Sequence, residues 1–273
     1  MTEALAVVRL TSRALVRVAG PDWRSFLQGL LTQDVETLAP GELRFAALLN
    51  PQGKLLYDLF LLGEEDGCLI DVAAAHRDAL IQRLTLYRLR AKVEIAAIEG
   101  DVMALLPVGD WPDDVPAPPG WARDPRLAAM GWRAAGDFAG APADDESAYD
   151  AHRLALGVPD AAKDGPPESA YPIEANFDLL GGIDFQKGCF VGQETTSRMK
   201  RRGMIKSRMV GLSFDGPAPP IGAKVLNGEL RAGEVVGGID GRALALVRLD
   251  RIEGPLTVDG RVVRIERPGY FET

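Results

Sequence analysis

This sequence predicts an α+β fold closed by a small C-terminal antiparallel β-barrel, and two patterns predict it. The first half runs strands, helix, strand, unlike the long βαβ alternation that builds a parallel sheet. From Val210 to the end, glycine turns recur between short apolar runs, "MVGLSF", "AKVLN", "GEVVGGI", "ALALVRL", "LTVDG" and "RVVRIE". That spacing suits a small antiparallel barrel or sandwich.

Taken in order, residues 4–20 alternate loosely and predict one or two strands. The period then changes. Trp23, Phe26, Leu27, Leu30 and Leu31 recur at helical spacing, with Pro21 placed for a first turn and Gly29 weakening the helix. The stretch "LRFAALLNPQGKLLYDLFLLGEEDGCLIDV" predicts three strands. Asn50, Pro51 and Gly53 suit a type I turn between the first two. A helix follows in "AAAHRDALIQRLTLYRL", with Leu80, Leu84 and Tyr87 on one face, and then a strand in "AKVEIAAI". Residues 107–120 hold five prolines and predict a loop. A second helix begins near Asp144 and Asp145, whose charges suit an N-terminus, and stops at Gly157.

Bulk properties narrow the function. The 273 residues carry a net charge of −8, which argues against general nucleic-acid binding, because phosphate neutralisation needs a cationic face. No apolar run is long enough to predict a membrane span, and the first twenty residues show no signal-peptide pattern. Two cysteines, Cys68 and Cys189, are too few for a disulfide framework, so a reducing cytosol is expected. They are also too few to hold an iron–sulfur cluster on one chain, and neither His76 nor His152 stands at metal-ligand spacing. No resident metal is expected.

The chemistry concentrates in residues 172–208. Glu174 lies among apolar and small residues. Gly188 and Gly192 bracket Cys189, in the octet "KGCFVGQE". Gln193 starts a predicted helix, so the helix dipole and the neighbouring Lys187 would both favour a thiolate at Cys189. Six cations fall between Arg198 and Arg208. Each feature also has a structural reading: Glu174 as a solvated strand-end charge, Cys189 as a small buried apolar side chain, and the basic run as a complement to a helix C-terminus.

The octet "KGCFVGQE" closely resembles the signature of the YgfZ-type folate-binding proteins, relatives of the glycine-cleavage T-protein. Further matches run along the chain in "FLQGLLTQDV", "LNPQGKLLYDLFLL", "HRLALGVPD" and "PIEANFDLLGGIDFQ". The resemblance implies a three-lobed T-protein-like ring. Residues 1–45 with 150–208 would form one α+β lobe, residues 46–149 a second, and residues 209–273 the barrel.

The resemblance also implies that the chain binds tetrahydrofolate or a derivative and serves the assembly or repair of iron–sulfur enzymes. T-proteins hold the pterin with a glutamate in a motif similar to "IEAN", so Glu174 is the matching position. A fixed carboxylate can accept the two adjacent N–H groups of a pterin edge as a pair. Phe177 and Tyr171 are the available ring covers, and Arg198 and Arg202 are cations for the glutamate tail. Where T-proteins carry two adjacent acids after the first hairpin turn, this chain has Tyr57 and Asp58. One acid therefore remains, able to act as acid or base unless it is a solvent-facing strand residue.

The combined expectation is a cytoplasmic, tetrahydrofolate-binding accessory protein. It would make transient contacts with iron–sulfur enzymes or assembly factors and use Cys189, Lys187 and Asp58 in whatever chemistry it performs. The alternative is a folate-dependent aminomethyl or one-carbon transferase.

Overall fold

The structure, a computed structural model, describes residues 5–107, 115–138, 145–166, 168–201, 203 and 205–271. The chain forms two compact units and passes between them repeatedly. The first comprises Met1–Leu49, Tyr57–Tyr149 and Leu180–Val191; the second comprises Asn50–Leu56, Asp150–Leu179 and Gly192–Thr273.

The first unit is built on two antiparallel sheets. Its elements are β1 (Leu5–Arg9), β2 (Arg13–Ala19), α1 (Trp23–Gln28), β3 (Leu43–Leu49), β4 (Leu55–Gly63, which starts in the second unit), β5 (Gly67–Ala73), α2 (Arg77–Arg88), β6 (Glu94–Ile98), β7 (Asp101–Pro107), β8 (Ala122–Arg123) and β9 (Trp132–Gly136). Five strands pair in the order β3-β4-β5-β2-β6 and four in the order β1-β7-β9-β8. β5 is buried along its whole length, as befits an inner strand of the larger sheet. α2 lies against β2 and β6 and buries Leu80 and Leu84.

Helix α1 is shorter than the apolar spacing predicts. It ends at Gln28; Leu30 follows in a turn and Leu31 in a bridge, both buried. Leu31 bridges to Leu48, and Thr32 N–H donates to the Ala47 carbonyl at 3.0 Å. Leu31 thus pairs onto the edge strand β3 rather than prolonging a helix. Strands β7 and β9 went unpredicted, because they flank the proline-rich stretch that masks them in the sequence.

Polar groups join the two sheets. Arg13 on β2 donates to Asp71 on β5 at 2.6 Å and to Asp58 on β4 at 3.1 Å. Arg133 on β9 takes the other Asp71 oxygen at 2.7 Å and donates to the Tyr149 hydroxyl at 3.2 Å. Arg126 donates to the same hydroxyl at 2.8 Å and pairs with Asp124 at 2.6 Å. All six charged groups are buried. Burial alone would raise the Asp124 carboxyl, but Arg126 and Arg133 hold it below the usual carboxylate range. The Phe60 ring lies under the guanidiniums of Arg133, Arg126 and Arg13 at 3.9, 4.7 and 5.6 Å. Asp58 is therefore not a solvent-facing residue: it is 3% exposed and pairs with Arg13 through one carboxylate oxygen.

The second unit gathers the turn at Asn50, α3 (Glu146–Ala155, whose first turn lies in the first unit), α4 (Gln193–Arg201) and the barrel. The turn forms as its sequence predicts. Gly53 N–H donates to the Asn50 carbonyl and Lys54 N–H to the Asn50 side-chain oxygen, both at 2.9 Å. Gly53 has φ +83°, and a Cβ there would stand 2.9 Å from Thr195 Cβ on α4, so both its backbone and its packing require glycine.

The barrel strands are β10 (Ser207–Ser213), β11 (Lys224–Asn227), β12 (Leu230–Ile239), β13 (Arg242–Arg248), β14 (Leu256–Val258) and β15 (Arg261–Glu266). They close in the order β10-β13-β12-β11-β14-β15 around Val210, Leu212, Val225, Val235, Val247 and Val258. Register shifts after Val225 and Val235 supply the bends that closure needs. The predicted barrel is thus present.

The buried ion network yields a stability prediction. Asp71→Asn leaves Arg13 and Arg133 buried with an incomplete partner and is expected to cost about 3–5 kcal/mol by urea denaturation. Asp66→Asn, which removes an exposed partner of Arg17, is expected to stay within about 0.5 kcal/mol. Equal losses would show that the network does not hold the unit together.

Candidate functional site

Residues 171–180 form a tight series of turns tied to the barrel. Met209 N–H on β10 donates to the Glu174 carbonyl at 2.8 Å, and the Asn176 side-chain amide donates to the Met209 carbonyl at 2.8 Å. Asn176 holds φ +62°, a conformation asparagine tolerates better than most residues. Arg208 donates to both oxygens of Asp178 at 2.9 Å and to the Ile173 carbonyl at 3.0 Å. Arg208 is buried, so the end of the cationic run fastens this segment.

Glu174 is half-buried on this frame. Its Oε2 accepts the Tyr171 backbone N–H at 2.9 Å, which fixes the carboxylate; among the described residues, Oε1 accepts no hydrogen bond. Tyr171 is also half-buried, and the Lys54 ammonium stands 3.8 Å over its ring centroid while donating to the Ser169 carbonyl at 2.9 Å. One face of Tyr171 is therefore engaged. Phe177 is 1% exposed and belongs to the core, so it is not available as a ring cover. Its place three residues after Glu174 conceals this, because a turn rather than a strand carries the two. Arg198 is exposed on α4, with no acidic partner among the described residues. Arg202 lies outside the described residues. Lys54 went unpredicted; its place one residue past the turn glycine is the only hint.

The octet belongs partly to each unit, and its cysteine lies in the first. Lys187 points inward. Its ammonium donates to the backbone carbonyls of Gln28, Leu31 and Gln33 at 2.7, 2.6 and 2.9 Å. All three donors are thus engaged at the end of α1, which corrects the expectation that Lys187 serves the thiol: it anchors the loop. Burial pushes the ammonium down to about 8, against the pull of Asp34, Asp184 and Glu36. Burial would push the Asp34 carboxyl up, but hydrogen bonds from Thr37, Gln28 and Glu36 bring it to about 2.

Two residues on, Cys189 is exposed, and Phe190 is buried again. Gly188 is exposed, and a Cβ there would meet nothing within 4 Å. Gly192 has φ +80° and needs glycine for its backbone; Gly188 does not. Cys68 is fully enclosed in β5, where burial raises its thiol pKa. Among the described residues no group of three or more His, Cys, Asp or Glu side chains could hold a metal ion, and no helix is long and apolar enough to cross a membrane.

Two outcomes follow for this loop. A thiol reagent is expected to label Cys189 in the native protein and Cys68 only after unfolding. For Lys187, the folded chain releases its proton near pH 8 and the unfolded chain near the ordinary 10.5. Between those values the unfolded state binds more protons, so stability gains with rising pH. Lys187→Met, which strands three carbonyls, is expected to lose about 2–3 kcal/mol at pH 7.5. The gap in urea midpoint should widen by pH 9.5; a constant gap would refute the buried ammonium.

Comparison with known proteins places this geometry. Residues 206–273 match the family described as CAF17, C-terminal beta-barrel domain. Over 293 aligned residues the chain is 36% identical to the human protein "Iron-sulfur cluster assembly factor IBA57, mitochondrial", covering 93% of this chain and 81% of that one. It is 33% identical to the mouse protein of the same name, covering 92% and 79%. In structure it is similar to the glycine cleavage system aminomethyltransferase T from Bartonella henselae, with a TM-score of 0.77 over 98% of this chain and 86% of that one, at 18% identity. That likeness shows the fold and bears out the T-protein-like architecture. The cytoplasmic expectation is corrected, because the relatives are named mitochondrial. It rested on cysteine count, which separates reducing from oxidising compartments and not one reducing compartment from another. At this identity and coverage, the chain belongs to the family of the iron–sulfur cluster assembly factors IBA57.

Proposed function

We propose that the chain assists iron–sulfur protein assembly by presenting Cys189 to a cluster in transit between partner proteins, and that it binds tetrahydrofolate through Glu174. Family membership supports the assembly role. The observation that carries the role of Cys189 is its presentation: an exposed sulfur between an inward lysine and a buried phenylalanine, preceded by a glycine the fold does not need. A residue whose side chain is absent without local cause leaves room for another molecule's backbone. One thiolate cannot retain a cluster, so the remaining ligands come from the partner and the contact is short-lived.

The folate part rests on the carboxylate. Glu174 is held at Oε2 and open at Oε1, so it can take the paired N–H donors of a pterin edge. Arg198 offers a cation for the carboxylate tail. Bound tetrahydrofolate would supply a reduced pterin that carries one-carbon units. A transferase of the T-protein type, the alternative reading, would use Asp58 as an acid or base, and that carboxylate is enclosed by Arg13.

Calorimetry tests the ligand. Glu174→Ala is expected to lose about 2–3 kcal/mol of tetrahydrofolate binding, or roughly 30–150-fold in affinity. Unchanged affinity in a variant that melts normally sinks the assignment. Complementation of a deletion strain tests the sulfur: Cys189→Ser should keep the wild-type melting temperature and folate affinity yet fail to restore cluster-enzyme activity. Gly188→Ala should also fold normally and restore activity only partly. Full rescue by Cys189→Ser would make the thiol dispensable.

A further inference from the structure

The C-terminal end of α2 carries two large apolar side chains in the wrong place for stability. Leu86 is 77% exposed and Leu89 is 88% exposed. Leu89 also ends the helix at φ +45°, ψ −103°, where a residue with a side chain is strained and glycine is usual. The strain is not offset by burial, so the fold has no use for a leucine at this position. Outliers of this kind persist where something other than folding selects them.

The segment that carries these leucines is basic, with the Asp22 carboxylate accepting from the Lys92 backbone N–H at its end. Between Ala79 and Val93 the chain carries Arg83, Arg88, Arg90 and Lys92 and no acidic residue, within a protein of net charge −8. Arg88, Arg90 and Lys92 are exposed, and among the described residues none of the four cations has an acidic partner. Arg83 and Leu86, with Tyr57, Ala79, Gln82 and Tyr87, line a concavity of about 370 Å³. It lies wholly within the first unit.

We infer that this face of α2 docks an acidic amphipathic helix of a partner protein. The apolar side chains of that helix fill the concavity and cover Leu86 and Leu89, while its carboxylates meet the four cations. The concavity favours a protein over a lipid surface. A socket beside tyrosines accepts a projecting side chain, whereas an interfacial membrane helix presents a convex apolar face. The inference depends on neither folate nor Cys189.

The test uses a fluorescein-labelled helical peptide of about 16 residues, with leucines at i, i+3, i+4 and i+7 and glutamates elsewhere. The full-length protein should bind it saturably, and binding should weaken as salt is raised. The paired variants Leu86→Asp with Leu89→Asp, and Arg88→Glu with Arg90→Glu, should each bind at least tenfold more weakly while melting near wild type. Leu89→Gly relieves the strained backbone, so it should melt higher than wild type and still bind several-fold more weakly. That separates docking from folding. No saturable binding, or binding indifferent to these changes, overturns the inference. So does co-sedimentation with phosphatidylglycerol vesicles, but not phosphatidylcholine vesicles, that the same variants abolish, because the face would then be a membrane contact.

Discussion

The first unit depends on Asp71. Its two carboxylate oxygens accept from Arg13 on β2 and Arg133 on β9, so one side chain joins the five-stranded sheet to the four-stranded one. Arg126 and Tyr149 extend the link, with three guanidiniums arranged around Phe60. Hydrophobic surfaces can slide over one another with small loss, but a carboxylate shared by two guanidiniums, one on each oxygen, has one productive register. Such a network adds little net stability over a well-packed apolar core, because desolvating the charges offsets most of their attraction. What it contributes is a unique alignment of the sheets, and the cost appears only when one member is taken away.

The barrel was legible because glycine turns recur between short apolar runs along its sequence, a pattern set by local chemistry. The three-strand run around Asn50 was legible for the same reason. Long-range pairing was not. No rule about spacing links Arg13 to residues 58, 71 and 133, and an arginine in an alternating strand looks like a solvated one. Leu30 and Leu31 matched a helical period, although their partner is an edge strand reached through a loop.

At the candidate site, residue types could be picked out and their directions could not. Cys189 is exposed, and Glu174 is half-buried on a braced turn. Lys187 illustrates the limit. Proximity in sequence suggests a cation for the thiol, yet the side chain turns to three carbonyls that the end of α1 leaves unsatisfied. Phe177 fails in the same way, since a turn sends it into the core. Sequence proximity identifies candidates, but hydrogen-bond demand decides where a long side chain goes.

The order in which the two units share the chain affects how the protein is made. The first unit needs Leu180–Val191 as well as the residues before Tyr149. Thr32 and Gln33 close onto the carbonyls of Gly182 and Gly181, about 150 residues downstream. A chain emerging from the ribosome therefore cannot complete its first unit until the octet has been synthesised, even though most of its strands are already present. During that interval the Thr32 hydroxyl and the Gln33 amide lack the carbonyls of Gly182 and Gly181, and the carbonyls at the end of α1 lack Lys187. Contacts of such sequence separation form late, because the loop between them must close first. The octet's first five residues, Lys187–Val191, are thus among the last pieces of that unit to be synthesised, and folding fixes the place of a sulfur that the unfolded chain exposes without order.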